Sequence, residues 1–302
     1  MNGKLSNFAQ KASLRRYTLA DGREKGLEVI DCDNGKIRFL LNVSKALDIM
    51  QVYHEGVNVS FLSKNAFTAR EVDFLSRFEG GMLYTCGLDS VGGREGFPLH
   101  GTFHTIPASV IRAECMETGI CVEAVIQDTQ LFGKNLVMKR KIYTEIDGDT
   151  ITLEDTLINV GYKAEEYCLL YHVNVGYPML DDGAKLFIDA ENVMPRTVWA
   201  AQNQATMYTM SADKPCEEEC CYFIKAKTQT ATLVNETLGK TFTLSYSGDT
   251  LPHFVEWKSM ASGDYALGLE PATTMLDDKF QYAIINANEE VSFALKITIK
   301  DS

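Results

Sequence analysis

The chain has 302 residues, enough to bury a large core either as one big all-β domain or as two ordinary domains. Its 45% hydrophobic and 23% charged residues are the balance of a globular protein and exclude a disordered chain. Against 29 Lys and Arg stand 41 Asp and Glu, a formal charge of −12 whose field repels phosphate backbones and anionic lipid, so neither nucleic acid nor a membrane is expected as partner.

Residues 1–17, MNGKLSNFAQKASLRRY, are polar where a signal peptide needs an apolar run, and no stretch of about 18 apolar residues follows; a cytoplasmic location is expected. The turn signal Asp33-Asn34-Gly35 leads into a run over 36–41 rich in apolar and β-branched residues, and similar runs lie at 121–126, 150–155 and 292–299. All read as strands. A hairpin is predicted over 145–150, where Asp147-Gly148 tolerates the positive φ of a tight turn, and further turns fall at Asp182-Gly183 and Ser247-Gly248-Asp249. Helical patterns are few and short, no Pro-, Ser- or Gly-rich linker divides the chain, and no repeat of fixed period occurs. The reading is one all-β domain over 1–302, a large antiparallel β-sandwich of two extended sheets.

Three segments set uncommon polar residues among glycines and prolines. In 92–108 His100 precedes Gly101, which has no Cβ and would let a backbone or a substrate come close. In 168–180 a period of two puts Tyr171, Val173 and Val175 on one face and Leu170, His172, Asn174 and Gly176 on the other, so that His172 and Asn174 share a face. In 257–271 Glu270 ends an apolar strand, where a carboxylate is costly unless partnered or used. Each has an ordinary alternative: a lone strand-end His is more often a structural hydrogen bonder, and Glu270 before Pro271 would equally terminate an edge strand. Eight scattered cysteines without a secretion signal read as reduced thiols, and Cys216, Cys220 and Cys221 match no zinc spacing, so no metal is expected.

Taken together, Leu99-His100-Gly101, then Tyr171-His172-Val173-Asn174-Val175-Gly176-Tyr177-Pro178, then Gly268-Leu269-Glu270-Pro271 resemble the aldose 1-epimerase-like proteins of the galactose mutarotase-like superfamily, in particular an uncharacterised epimerase-like branch. The resemblance covers nearly the whole chain. Residues 35–39 and 45–49 look like the branch's opening strands, with Lys45-Ala46-Leu47-Asp48-Ile49 where Arg-Gly-Leu-Asp-Ile is usual, and 80–88 look like its Thr-Cys-Gly-Leu motif.

What the resemblance implies is a supersandwich with a sugar site lined by two histidines, a glutamate, an arginine and an aspartate. His100 and His172 fall on the histidines and Glu270 on the glutamate. Arg77 stands where the arginine is expected, with Arg94 as the weaker choice, while the aspartate has no clear counterpart, Asp249 being poorly matched in its surroundings. The implied reaction is interconversion of α and β anomers without a cofactor, Glu270 as carboxylate taking the C1 hydroxyl proton and His172 as imidazolium protonating the ring oxygen. His100 and Arg77 would bind the substrate and Asn174 would orient a hydroxyl or His172, with Trp257, Tyr177 or Phe103 as a stacking wall. With Arg77 and Arg94 the only cations to name near His100, a neutral aldose or an aldose-containing disaccharide is favoured over a phosphosugar. A sugar-binding protein without catalysis, or another isomerase or lyase on the same scaffold, are the alternatives. A homodimer stays open.

Overall fold

The computed structural model describes residues 3–277 and 279–302. Strands dominate. Five of them, Ser13–Thr18, Glu28–Asp33, Ile37–Asn42, Asp48–His54 and Val57–Asn58, pair in sequence order as an antiparallel meander. The other thirteen among the described residues form one large antiparallel sheet. Alternation along each strand decides what is buried. In the strand Asn135–Glu145, Leu136, Met138, Arg140 and Ile142 point inward and Lys139 and Lys141 outward. Ile30, Phe39 and Val52 of the meander join Ile120, Ile142, Leu153 and Phe293 of the large sheet in one apolar core. The predicted hairpin joins Asn135–Glu145 to Thr150–Asn159, but the residue in the left-handed region is Asp147 (φ 56°) and not Gly148.

Between the sheets lies a buried polar network that explains two of the motifs. Ala46 and Leu47 have φ of 49° and 55°, which turns the chain so that Asp48 points into the core. There Asp48 accepts hydrogen bonds from the Thr85 amide (2.7 Å) and from Arg140 Nη1 (2.6 Å), and its Oδ2 lies 2.6 Å from His104 Nδ1. Glu79 closes on the other side, 2.9 Å from Lys45 Nζ and 3.3 Å from His104 Nε2. Asp48 and Thr85 thus tie the meander to the large sheet.

Five strands set up one outer face of the large sheet, in the order Glu165–Val175, Asp264–Ala272, His253–Ala261, Cys220–Asn235 and Lys185–Pro195. Asp264–Ala272 is paired on both sides, so Glu270-Pro271 does not end an edge strand. Cys220 and Cys221 alternate to opposite faces, Cys220 into the main core and Cys221 outward, and the cysteine cluster does not converge. No helix among the described residues is long and apolar enough to cross a membrane.

Candidate active site

Register builds the site from four strands. Asn174 is paired with Gly268 and Val173 with Leu269, and the same register brings His172 beside Glu270; Gly268 is in turn opposite Trp257, and Trp257 opposite Cys221. As the alternation of 170–176 predicts, Tyr171, Val173 and Val175 enter the main core while His172 faces the other way. Two covering segments close a cavity of about 690 Å³ over this face. One, through Phe61, Phe74 and Phe78, supplies an aromatic wall, and the other carries Gly92, Gly93 and His100. A cavity of this size is typical of a small-molecule site.

His172 Nε2 lies 3.2 Å from Glu270 Oε1, and the rings of His100 and His172 meet edge to face with centroids 5.6 Å apart. His172 also abuts Trp257 (5.4 Å) and Phe78 (5.5 Å). Among the described residues His172 Nδ1 and Glu270 Oε1 are buried without a hydrogen-bond partner, so the pair is held in place largely by packing. Burial drives His172 well below its ordinary pKa, with His100 adding to the effect, and drives Glu270 well above its own, Glu219 pushing in the same direction and Arg196 opposing. Burial therefore opposes the imidazolium and the carboxylate alike, shifting each group toward its uncharged form.

His100 sits in the left-handed region (φ 62°), its Nδ1 facing the Gly92 amide at 3.4 Å. An accepting Nδ1 leaves the proton on Nε2, which makes the ring a hydrogen-bond donor. Burial, reinforced by Arg196, holds its pKa down at about 4, so it is neutral near pH 7. Gly101 is needed for a different reason than substrate approach: a Cβ there would come within 2.7 Å of Asp89, Ser90 and Gly87 of its own loop.

The other expected residues are placed differently. Arg77 is buried at the end of the short helix Phe74–Arg77 and lines a separate hollow, because Phe74 and Phe78 take the cavity side of that turn. Arg94 lies over the Phe280 ring (3.8 Å) and donates to the Tyr282 hydroxyl (2.6 Å), clamping the His100 loop from outside the cavity. Asn174 shares the face of His172, but its amide donates to the carbonyls of Gly81 and His172 and does not line the cavity. Trp257 does line it, its indole donating to Glu219 Oε2 at 2.7 Å. Tyr177 lies outside the cavity and Phe103 is in the core. Asp249 is exposed in a turn after Lys240–Tyr246.

Arg196, Glu219 and Gly268 were not legible as site residues. Arg196 follows Pro195 at the end of a strand and lines the cavity, with no ion-pair partner among the described residues. The acids around it are engaged: Glu219 with Trp257, Asp264 with Lys64 (2.7 Å), Glu217 with Lys214 (3.0 Å). A Cβ on Gly268 would fall 2.5 Å from Glu270 Oε1, 3.0 Å from His172 Cε1 and 3.1 Å from Trp257 Cβ, so only glycine leaves room for the pair. Gly268→Ala is expected to push the carboxyl and the imidazole apart. A displacement near 1 Å costs on the order of 100-fold in turnover, measured with thermal stability monitored alongside; a variant with unchanged turnover would show that the close fit is irrelevant to chemistry.

The architecture has clear counterparts. A Klebsiella pneumoniae protein provisionally named an aldose 1-epimerase superposes with a TM-score of 0.86 at 18% identity, over 96% of this chain and 84% of that one. A galactose mutarotase-like protein from Clostridium acetobutylicum gives 0.73 at 14% identity (97% and 100% covered), and galactose 1-epimerase from Lactobacillus acidophilus 0.67 at 10% (96% and 99%). At such identities the likeness is one of fold, and the fold is galactose mutarotase-like. No curated protein matches the sequence. The model of a family described as a domain of unknown function, DUF4432, matches residues 24–299, and the chain belongs to that family.

Proposed function

We propose that this chain is an aldose 1-epimerase, which interconverts the α and β anomers of a sugar bound between His172, Glu270 and His100. The observation that carries the reading is the buried His172–Glu270 contact at 3.2 Å on the wall of a cavity of about 690 Å³, with the ring of a second histidine 5.6 Å away.

Starting from the uncharged pair, neutral His172 accepts the proton of the C1 hydroxyl while the Glu270 carboxyl protonates the ring oxygen, and the C1–O5 bond breaks to give the open aldehyde. The two catalytic groups are then imidazolium and carboxylate, oppositely charged and in contact, each stabilising the other inside a poorly polar site. Rotation about C1–C2 presents the other carbonyl face. On reclosure the C5 hydroxyl attacks C1, its proton returns to Glu270 and His172 protonates the carbonyl oxygen, restoring both groups. Neutral His100 serves as hydrogen-bond donor to a sugar hydroxyl, and the Trp257 indole, fixed by Glu219, offers its face to the ring's C–H groups.

The arginine of this site is Arg196 and not Arg77. Its guanidinium, which has no ion-pair partner among the described residues, can donate to sugar hydroxyls and also favours the charged form of Glu270 during turnover. A charged hydrogen bond of this kind contributes about 1.5–3 kcal/mol, so Arg196→Gln is expected to lower kcat/KM roughly 10- to 100-fold, mainly through KM. No change in either constant would remove Arg196 from the site. The reading as a whole is tested by saturation-transfer NMR of anomer exchange over a panel of aldoses and aldose-containing disaccharides. Acceleration over buffer supports it. Binding without acceleration of any sugar would leave a sugar-binding protein on an epimerase scaffold.

A further inference from the structure

The hollow that Arg77 lines is separate from the catalytic cavity. It measures about 200 Å³ and lies beneath the segment leading into the helix Phe74–Arg77, bounded by Ser44, Lys45, Arg70, Glu71, Arg77 and Thr105 among others. Arg77 is only 7% exposed, yet among the described residues its side chain has no hydrogen bond and no ion pair. Its five donors are thus turned to the hollow that Arg77 lines and are left for whatever enters it. Its surroundings do not supply the missing charge. Lys45 is already paired with Glu79, which in turn also faces His104, and Arg70 at the rim adds a further positive charge against the single carboxylate of Glu71. The charge of Arg77 is felt by Tyr84, whose hydroxyl likewise has no partner; burial pushes that phenol's pKa up and Arg77 partly offsets the push. The helix is one turn long, so its C-terminal dipole is too short to balance a full positive charge.

We infer that this hollow is a binding site for a small oxyanion, a phosphate or carboxylate group seated on Arg77 with Arg70 at the mouth. A planar guanidinium matches such a group through two parallel N–H···O bonds, and Lys45 supplies additional field without leaving Glu79. The site is distinct from the sugar cavity, which has its own arginine, Arg196. It also touches the catalytic wall indirectly: Phe78, next in the chain to Arg77, packs on His172 and Trp257.

The test is calorimetric titration of the full chain with inorganic phosphate at constant ionic strength, with acetate as the carboxylate arm. Saturable binding at one site is expected, weakened at least tenfold in Arg77→Gln and severalfold in the rim variant Arg70→Gln, and unchanged in Arg196→Gln. Tighter binding of phosphate than of acetate identifies a phosphate group as the ligand, and the reverse order a carboxylate. If Arg77→Gln does not fold, Arg70→Gln and the unaltered Arg196→Gln carry the comparison, since the rim arginine is exposed. No saturable binding of either anion, or binding that is lost in Arg196→Gln and kept in the Arg70 and Arg77 variants, overturns the site. Neither result bears on anomer exchange, which is read with neutral sugars.

Discussion

Glu270→Gln is expected to remove anomer exchange by 100- to 10,000-fold, the contribution of one positioned acid–base group, while leaving the fold intact. The second half of that statement follows from burial. Among the described residues Glu270 Oε1 has no hydrogen-bond partner, and burial pushes the group toward its protonated form, so an amide of the same shape replaces a carboxyl whose charge the fold disfavours. A group whose pKa is raised by folding binds its proton more tightly in the native state, so it favours folding below its unfolded pKa of roughly 4.3 and loses that contribution as pH rises through the folded value. Gln carries no such dependence, and the variant should be at least as stable as the parent near neutral pH. The reaction has a matching pH signature. Because burial lowers the pKa of His172, the acid limb of kcat/KM should fall below the ordinary histidine value of about 6.5. An acid limb above 6.5, or a Glu270→Gln protein that still exchanges anomers at the parent rate, would reject the pair as the catalytic machinery.

The sequence carried the parts of this site that follow from alternation along a strand. A period of two was enough to separate Tyr171, Val173 and Val175 from His172, and Gly268-Leu269-Glu270 put the carboxylate on a matching face. What alternation cannot give is which of two same-face residues reaches a cavity. Asn174 shares the face of His172 but lies under the segment that carries Gly81, and its amide is consumed there. Distances along the chain misplaced Arg77 for a similar reason: in a one-turn helix Phe74, Leu75 and Phe78 occupy the cavity side, and Arg77 faces the separate hollow. Arg196 had no local signal at all, since it becomes a site residue only through the pairing of Lys185–Pro195 with Cys220–Asn235, a contact between distant segments. Asp48 and Thr85, in motifs that supported the family resemblance, belong to the network between the sheets and so report on fold rather than on chemistry.

That network sets the second large expectation, for stability. Arg140→Leu should destabilise the protein by about 3–5 kcal/mol, the cost of removing one member of a buried charged group and leaving the others uncompensated. Arg140 is fully buried and every donor is used: Nε and Nη2 hold Asp155 at 2.9 and 2.7 Å, Nη1 binds Asp48 (2.6 Å) and the Ala46 carbonyl (2.9 Å), and Nη2 reaches Thr85 (3.0 Å). Leucine fills part of the space but leaves two carboxylates facing one another across an apolar gap. Tyr171, which donates to Asp155, cannot neutralise that charge. The pH dependence separates lost charge compensation from lost packing. Burial alone would raise Asp48, yet the His104 hydrogen bond and the Arg140 charge hold it below its ordinary value. In the parent that contribution is present above the unfolded pKa of roughly 3.9 and fades as pH falls below it. Without Arg140, Asp48 should take up a proton more readily in the fold, so the deficit of the variant, measured by urea unfolding, should shrink between neutral pH and pH 4. A deficit that stays constant across that range would mean that Arg140 acts by filling volume and that its charge does not hold the two sheets together.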